Sequence, residues 1–305
     1  MASKLIVRNW IQKLLPVCDG DAGHAKRQLE WLKEKVTLDV SGNSSKSIYM
    51  LSKQEHDQLD TYITQRTEQH KPLQYILATL VESISILGTQ PFCELDIVTR
   101  PPTLIPRWET EEWTYRVIDM LKNQLSTVQK PLRILDVCTG SGCISLALAK
   151  HLPKDSVHIT GLDISTRAIS LSQHNLDLHQ SQLQNPVEFH VQDVFQYIPQ
   201  DEIHLIVSNP PYITNEEYKT LDPDVKDWED ARALVAPDQG TRVHQGVIQV
   251  AKYCTPLTKG PHLLMEMGGT HQIKLLSGLM LQQGFKTIDV WKDLAGKDRV
   301  ITGGF

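Results

Sequence analysis

From about residue 130 onward, short apolar runs alternate with helical patterns, and no other feature constrains the fold as tightly. The runs are Arg133–Val137, Val157–Leu162, Val187–Val191, Leu205–Val207, Leu263–Met265, Thr287–Val290 and Arg299–Thr302. Between them lie helical stretches through Leu146 and Leu148, through Ala168 and Leu171, from Val243 to Ala251 and from His271 to Gln283. Alternation of this kind predicts an α/β domain, a mostly parallel sheet with helices on both faces. Ligands of such sheets bind beyond the C-terminal ends of the strands, near the point where strand order reverses. Asp136, Asp163 and Asn209 stand at those ends.

The chain has 305 residues, enough for two domains. Residues 1–75 read as a helical domain. Ala25, Leu29, Leu32 and Val36 form one apolar stripe, and Leu59, Tyr62 and Ile63 form another. Ser52 and Glu55 have the spacing of a capping box, and the polar, Gly-containing stretch from Ser41 to Ser47 reads as a loop. Residues 76–107 read as a linker and β-hairpin, because Pro91, Pro101, Pro102 and Pro106 punctuate β-like runs. Residues 108–305 form the α/β domain.

Composition narrows the function classes. Five cysteines, an odd number with no C-x-x-C pair, argue against a disulfide framework or a zinc site. A formal net charge of -5 argues against a stable nucleic-acid partner held through its backbone. No apolar run approaches the roughly 18 residues a membrane span needs, so no membrane association is expected. From Met1 to Cys18 the chain carries Lys4, Arg8 and Lys13 and no acid, with Val7, Trp10, Ile11 and Leu14 at helical spacing. Both a mitochondrial presequence and the first helix of a folded bundle have this pattern.

The first strand runs into Asp136-Val137-Cys138-Thr139-Gly140-Ser141-Gly142. Glycines let a backbone turn tightly and approach a ligand closely. The second strand ends at Asp163, where a carboxylate can accept both ribose hydroxyls of a nucleoside, with Ile164 beside it. The dinucleotide pattern G-x-G-x-x-G is absent, which disfavours a dehydrogenase. An acid followed by a glycine turn suits S-adenosylmethionine, which has no pyrophosphate to cradle. Asp193 and Val194, after the third strand, add a contact for the adenine; Asp193 is equally placed to cap a helix.

The fourth strand ends in Asn209-Pro210-Pro211-Tyr212. Proline removes a donor and fixes φ, so two in a row hold the backbone open with carbonyls facing the site. With the side-chain carbonyl of Asn209 they suit the two hydrogens of a planar NH2 group, and Tyr212 offers a face for stacking. An amide nitrogen is a poor nucleophile because its lone pair is delocalised. Accepting its hydrogens and holding it in line with a sulfonium methyl gives catalysis by positioning and electrostatics.

On these residues the chain resembles the HemK/PrmC release-factor glutamine methyltransferases. Pro72-Leu73-Gln74-Tyr75-Ile76-Leu77, the run from Leu104 to Glu111, Ala233-Leu234-Val235 after Trp228-Glu229, and Asp298-Arg299-Val300-Ile301 also look like that family's signatures. The resemblance implies a class I S-adenosylmethionine-dependent methyltransferase with a Rossmann-like, seven-stranded sheet, and an N-terminal helical domain that helps dock the substrate. It implies N5-methylation of the glutamine in the Gly-Gly-Gln motif of a class I peptide-chain release factor. It places Arg107, Glu109 and Glu111 near the active site, the first two as substrate contacts. Trp108, where bacterial members usually carry proline, resembles the eukaryotic branch and implies a mitochondrial rather than cytoplasmic setting. Cys138 departs from the family's first turn glycine. The segment Ala78–Leu87 departs further and reads as an insertion. The closest rival is an adenine-N6 nucleic-acid methyltransferase, since the same four residues can hold the amino group of a flipped base. A non-catalytic subunit keeping the fold is a second rival. Glu266, at the end of a central strand, is either a site residue or a buried partner. Tyr218, Asp222 and Asp224 fall in a loop after the motif that is expected to gate the substrate.

Overall fold

The computed structural model describes residues 4–43, 45–78, 88–125, 131–255 and 260–305. The chain divides into two compact units, one comprising residues 1–90, 99–101 and 222–228, the other residues 91–98, 102–221 and 229–305.

The first unit is helical, with α1 (Lys4–Leu14), α2 (Ala22–Ser41), α3 (Lys53–Thr67) and α4 (Leu73–Leu77). Asp21 caps α2 by accepting from the backbone N–H groups of Gly23 and His24, and Gly42, at φ 66°, terminates it in a left-handed turn. The capping box Ser52–Glu55 forms at the start of α3. Glu55 also accepts from Ser41 Oγ at 2.7 Å and from Lys46 Nζ. Burial opposes its ionisation, but these donors and Ser52 outweigh burial and hold its carboxyl at about 2. The stripe Ala25, Leu29, Leu32 and Val36 is buried with Trp10, Leu14, Leu59 and Ile63. Trp10 Nε1 donates to Asp60 at 2.7 Å, so α1 is fastened into this core. Asp224, on the short helix Pro223–Lys226 expected to gate substrate, accepts from Arg66 at 2.6 Å within this unit.

Most of the expected insertion lies outside the described residues. Its flanks do not. Gly88, at φ 91°, lies so close to Ala78 that an added Cβ would collide with the Ala78 backbone. The expected linker 76–107 is divided between the units. Ile76 and Leu77 bury in the helical core, whereas Phe92, Leu95 and Ile97 bury in the core of the sheet unit.

The expected hairpin forms from β1 (Thr89–Phe92) and β2 (Leu95–Val98). After α5 (Trp108–Leu125) come β3 (Leu132–Val137), α6 (Cys143–His151), β4 (Val157–Asp163), α7 (Thr166–His179), β5 (Val187–Val191), β6 (Leu205–Ser208), β7 (Leu263–Glu266), β8 (Thr287–Lys292) and β9 (Asp298–Gly304). The seven strands β3–β9 form one sheet in the order β5-β4-β3-β6-β7-β9-β8. The pairs among β3 to β7 are parallel and β9 runs antiparallel to both of its neighbours. The seven apolar runs read from sequence are these seven strands. One core lies between the sheet and α5–α6, built on Val117, Leu121, Ile144 and Leu148. The other lies beneath the helix Arg242–Ala251 and the helix Thr270–Gln282, built on Val247, Ile248, Leu276 and Met280. Strand order reverses between β3 and β6, which opens a crevice at their C-terminal ends. Among the described residues no helix is long and apolar enough to cross a membrane, and no cluster of His, Cys, Asp and Glu is arranged to hold a metal.

Candidate functional site

The glycine turn after β3 is built from below by Asp136. This residue is fully buried, and its Oδ2 accepts from Thr139 Oγ1 and Ser145 Oγ, each at 2.7 Å. Among the described residues its Oδ1 has no hydrogen-bond partner. Burial pushes the carboxyl up to about 6. The turn needs three left-handed residues, Cys138 (φ 63°), Gly140 (φ 57°) and Gly142 (φ 81°). Gly142 also meets the Phe189 ring, where an added Cβ would come within 2.8 Å. A cysteine in the left-handed region carries a cost of roughly 1–2 kcal/mol that glycine avoids; the tie between Asp136 and Thr139 holds the turn in spite of it.

At the end of β4, Asp163 accepts from Gly140 N–H at 3.0 Å through Oδ2 and from Ser165 N–H at 2.9 Å through Oδ1. Burial raises its pKa, against the pull of those two backbone donors. A carboxylate offers about four acceptor sites, so two remain for hydroxyls of a ligand.

A cavity of about 360 Å³ lies at these strand ends, within the range of small-molecule sites. Its wall includes Cys138, Gly140, Asp163, Ile164, Asp193, Val194, Asn209 and Pro211, so the glycine turn, the ends of β4 and β5 and two of the four motif residues meet in one place, whereas Pro210 and Tyr212 are not on the wall. Asp193 also caps the short turn Val194–Gln196, accepting from Phe195 N–H at 2.9 Å, as its capping reading expects. Asp136, Thr139, Ser141 and Gly142 are not on the wall; they shape the turn from beneath. A nucleoside with an amino-acid tail fits this cavity. A Cβ on Gly140 would meet no atom within 4 Å, which leaves the backbone open to a ligand, and Asp163 keeps acceptors to spare. A larger depression of about 640 Å³ lies over β3–β5, lined by Arg133, His158, Glu188 and His190. Neither the glycine turn nor Asn209 is on its wall.

Beyond β6 the motif is held by side chains from three directions. Asn209 Nδ2 donates to Thr110 Oγ1 at 3.1 Å, and Thr110 Oγ1 donates to Glu266 Oε2 at 2.7 Å. Trp113 Nε1 donates to the same carboxylate oxygen at 2.8 Å, and Tyr212 OH donates to Oε1 at 3.2 Å. Glu266 is therefore a buried partner. Burial raises its pKa despite these donors and the nearby Arg299. The Tyr212 carbonyl accepts from Gln272 Nε2 at 3.0 Å. That amide also donates to Gln239 O at 3.0 Å, and its oxygen accepts from Gly268 N–H at 2.8 Å. Asp238, Gln239 and Gly240 are consecutive left-handed residues, and a Cβ on Gly240 would collide with the Tyr212 carbonyl. This strained turn thus lets the backbone close against the motif.

The structure does not bring the remaining sequence candidates onto the cavity wall. Arg107 pairs with buried Glu229 at 2.6 Å, Glu111 accepts from Cys93 N–H at 2.7 Å, and Glu109 lies 4.0 Å from Arg299. Sequence reasoning missed Thr110, Trp113 and Gln272. The signal for the first two was present, since Thr110, Trp113 and Thr114 place polar atoms at helical spacing on the buried face of α5.

Comparison with known proteins identifies the family. The family described as "Methyltransferase small domain" matches residues 117–222. A release factor glutamine methyltransferase of Geobacter sulfurreducens is 33% identical over 239 residues, covering 78% of this chain and 75% of that protein. The probable MRF1 mitochondrial N(5)-glutamine methyltransferase mtq1 of Schizosaccharomyces pombe is 34% identical, covering 75% and 74%. The mitochondrial MRF1 N(5)-glutamine methyltransferase MTQ1 of Saccharomyces cerevisiae is 31% identical, covering 97% and 84%. Among solved structures, the hMettl16 catalytic domain in complex with MAT2A 3′UTR hairpin 1 shares the fold at a TM-score of 0.51 and 13% identity, covering 82% of this chain and 80% of that one.

Proposed function

The chain belongs to the release factor glutamine methyltransferase family, and from that premise we propose that it methylates N5 of the glutamine in the Gly-Gly-Gln motif of a class I peptide-chain release factor. The observation that carries the proposal is the presence of Asn209 and Pro211 on the wall of the cavity formed by the glycine turn and Asp163. Asp163, Asp193 and the backbone at Cys138 and Gly140 would hold S-adenosylmethionine. When bound, it supplies a methyl group on a sulfonium, an electrophile that needs no further activation. Asn209 accepts a hydrogen of the glutamine amide through Oδ1, because its Nδ2 is engaged with Thr110. This pushes electron density onto nitrogen and fixes its direction of attack. The nitrogen gains the methyl as the bond between that carbon and sulfur breaks, the electron pair stays on sulfur as a neutral thioether, and the nitrogen releases one proton to solvent.

The proposed setting is the mitochondrion, as the names of the two yeast relatives suggest. The helical unit is the proposed docking element for the release factor. The adenine reading has less support, because the chain carries a net charge of -5. The deciding experiment offers labelled S-adenosylmethionine with three acceptors: a mitochondrial-type release factor, that factor with its motif glutamine changed to alanine, and duplex DNA. Label confined to the intact factor, and lost in Asn209→Ala enzyme, is expected. Label on DNA instead would refute the proposal.

A further inference from the structure

The hydrogen bonds around Glu266 run in one direction. We infer that Thr110 and Glu266 are positioning residues that fix the Asn209 amide with its oxygen toward the acceptor nitrogen, an inference that rests on the methyl-transfer reading of this site. An asparagine amide is nearly symmetrical in shape, so packing alone does not distinguish its oxygen from its NH2. The symmetry is broken from behind. The Trp113 indole can only donate, and it sits 2.8 Å from Glu266 Oε2. The same oxygen takes the single hydroxyl proton of Thr110 at 2.7 Å. Thr110 then has only lone pairs left, and the group 3.1 Å from it on Asn209 must be the NH2. Oδ1 is the amide atom that remains for the acceptor.

Glu266, Thr110 and Trp113 are 1%, 2% and 4% exposed, and none of them is on the cavity wall, so their influence passes through Asn209. The polarity they impose also selects the acceptor. A planar amide brings hydrogens to Oδ1. A carboxylate of the same shape brings oxygen, and is repelled. The relay therefore predicts discrimination between glutamine and glutamate at the methylated position.

The test compares wild type with Thr110→Val, which keeps the shape and removes the hydroxyl, and with Thr110→Ser, which keeps the hydroxyl. Methyl transfer to the intact release factor is measured together with cofactor affinity, thermal midpoint and competition by a factor carrying glutamate in place of the motif glutamine. In Thr110→Val, kcat is expected to fall roughly 10- to 100-fold, with cofactor affinity and midpoint nearly unchanged. Thr110→Ser should recover most of the loss. The glutamate-bearing factor should compete against Thr110→Val and not against wild type. Wild-type kcat in Thr110→Val, or a loss that serine does not recover and that cofactor affinity and midpoint share, would show that Thr110 only packs α5 and would overturn the relay. Should wild type label DNA and not the factor, the release-factor reading fails alone, and the same three proteins judge the relay on the adenine amino group. A wild type that labels neither overturns both.

Discussion

Gly161 lies in β4 opposite Asp136 on one side and Phe189 on the other. A Cβ there would come within 2.5 and 2.6 Å of two Phe189 ring carbons and 2.9 Å of Thr139 Oγ1. Ordinary contact begins near 3.4 Å, so the ring must retreat by close to an ångström inside a buried core. Overpacking of this kind costs about 1–3 kcal/mol. Alanine recovers about 0.5–1 kcal/mol, because glycine loses more conformational freedom in a strand. The net loss for Gly161→Ala is then about 1–2 kcal/mol, a fall in thermal midpoint of roughly 2–8 °C. Phe189→Leu alone leaves a void and costs about 1–2 kcal/mol. Combined with Gly161→Ala it removes the clash, so the double variant should be about 1 kcal/mol more stable than the sum of the singles implies. Denaturant melts of the four proteins give the coupling, and titration with S-adenosylmethionine should show weaker binding in Gly161→Ala because Thr139 is displaced. Strict additivity, with cofactor affinity intact, would refute the claim that the Phe189 ring sets the space available to the turn.

Three further outcomes follow from the geometry. Asp136 has its folded pKa raised from 3.8 to about 6, so the folded state holds its proton more tightly, and stability from this group falls as pH rises from about 4 to about 6. Asp136→Asn should remove that slope, worth on the order of 3 kcal/mol, when unfolding is followed across this range. Arg107→Met strands the Glu229 carboxylate, which is buried and whose other partner is Ile105 N–H at 3.3 Å. A loss of about 3–5 kcal/mol is expected, with partial recovery on adding Glu229→Gln; a full loss of activity at unchanged stability would instead assign Arg107 to substrate. Joining Ala78 to Gly88 by removing residues 79–87 should leave the thermal midpoint within about 2 °C, because the flanking residues already meet. Loss of folding would show that the segment is not an insertion.

The sheet was legible because its strands are short apolar runs separated by helices, and that pattern is local. Much of the cavity wall was legible for a similar reason: Asp163 ends a strand, and Asp193 and Asn209 come within two residues of strands whose ends face the crevice. What sequence could not separate was the wall from its foundation. Asp136, Thr139 and Ser141 sit among wall residues in the chain, yet Asp136 points inward, because β3 alternates and the turn folds over it. The supports of the motif were hidden for a different reason. Glu266 meets Thr110 across 156 positions, and Gln272 meets Tyr212 across 60, so neither pairing leaves a local trace. Arg107 and Glu229 illustrate the same limit, since an arginine beside a site reads as a ligand contact until its buried carboxylate is seen.

The fastening of α1 has a consequence for how the protein would reach its compartment. Lys4, Arg8 and Lys13 are exposed along a helix whose Trp10 and Leu14 are core. If these residues direct import, they serve first as an address read on an unfolded chain and afterwards as a wall of the finished bundle. A protease that trimmed beyond Leu14 would remove the indole bound to Asp60 and take Trp10 and Leu14 out of the helical core. Maturation and folding are thereby set against each other, and the mature protein is expected to keep its α1.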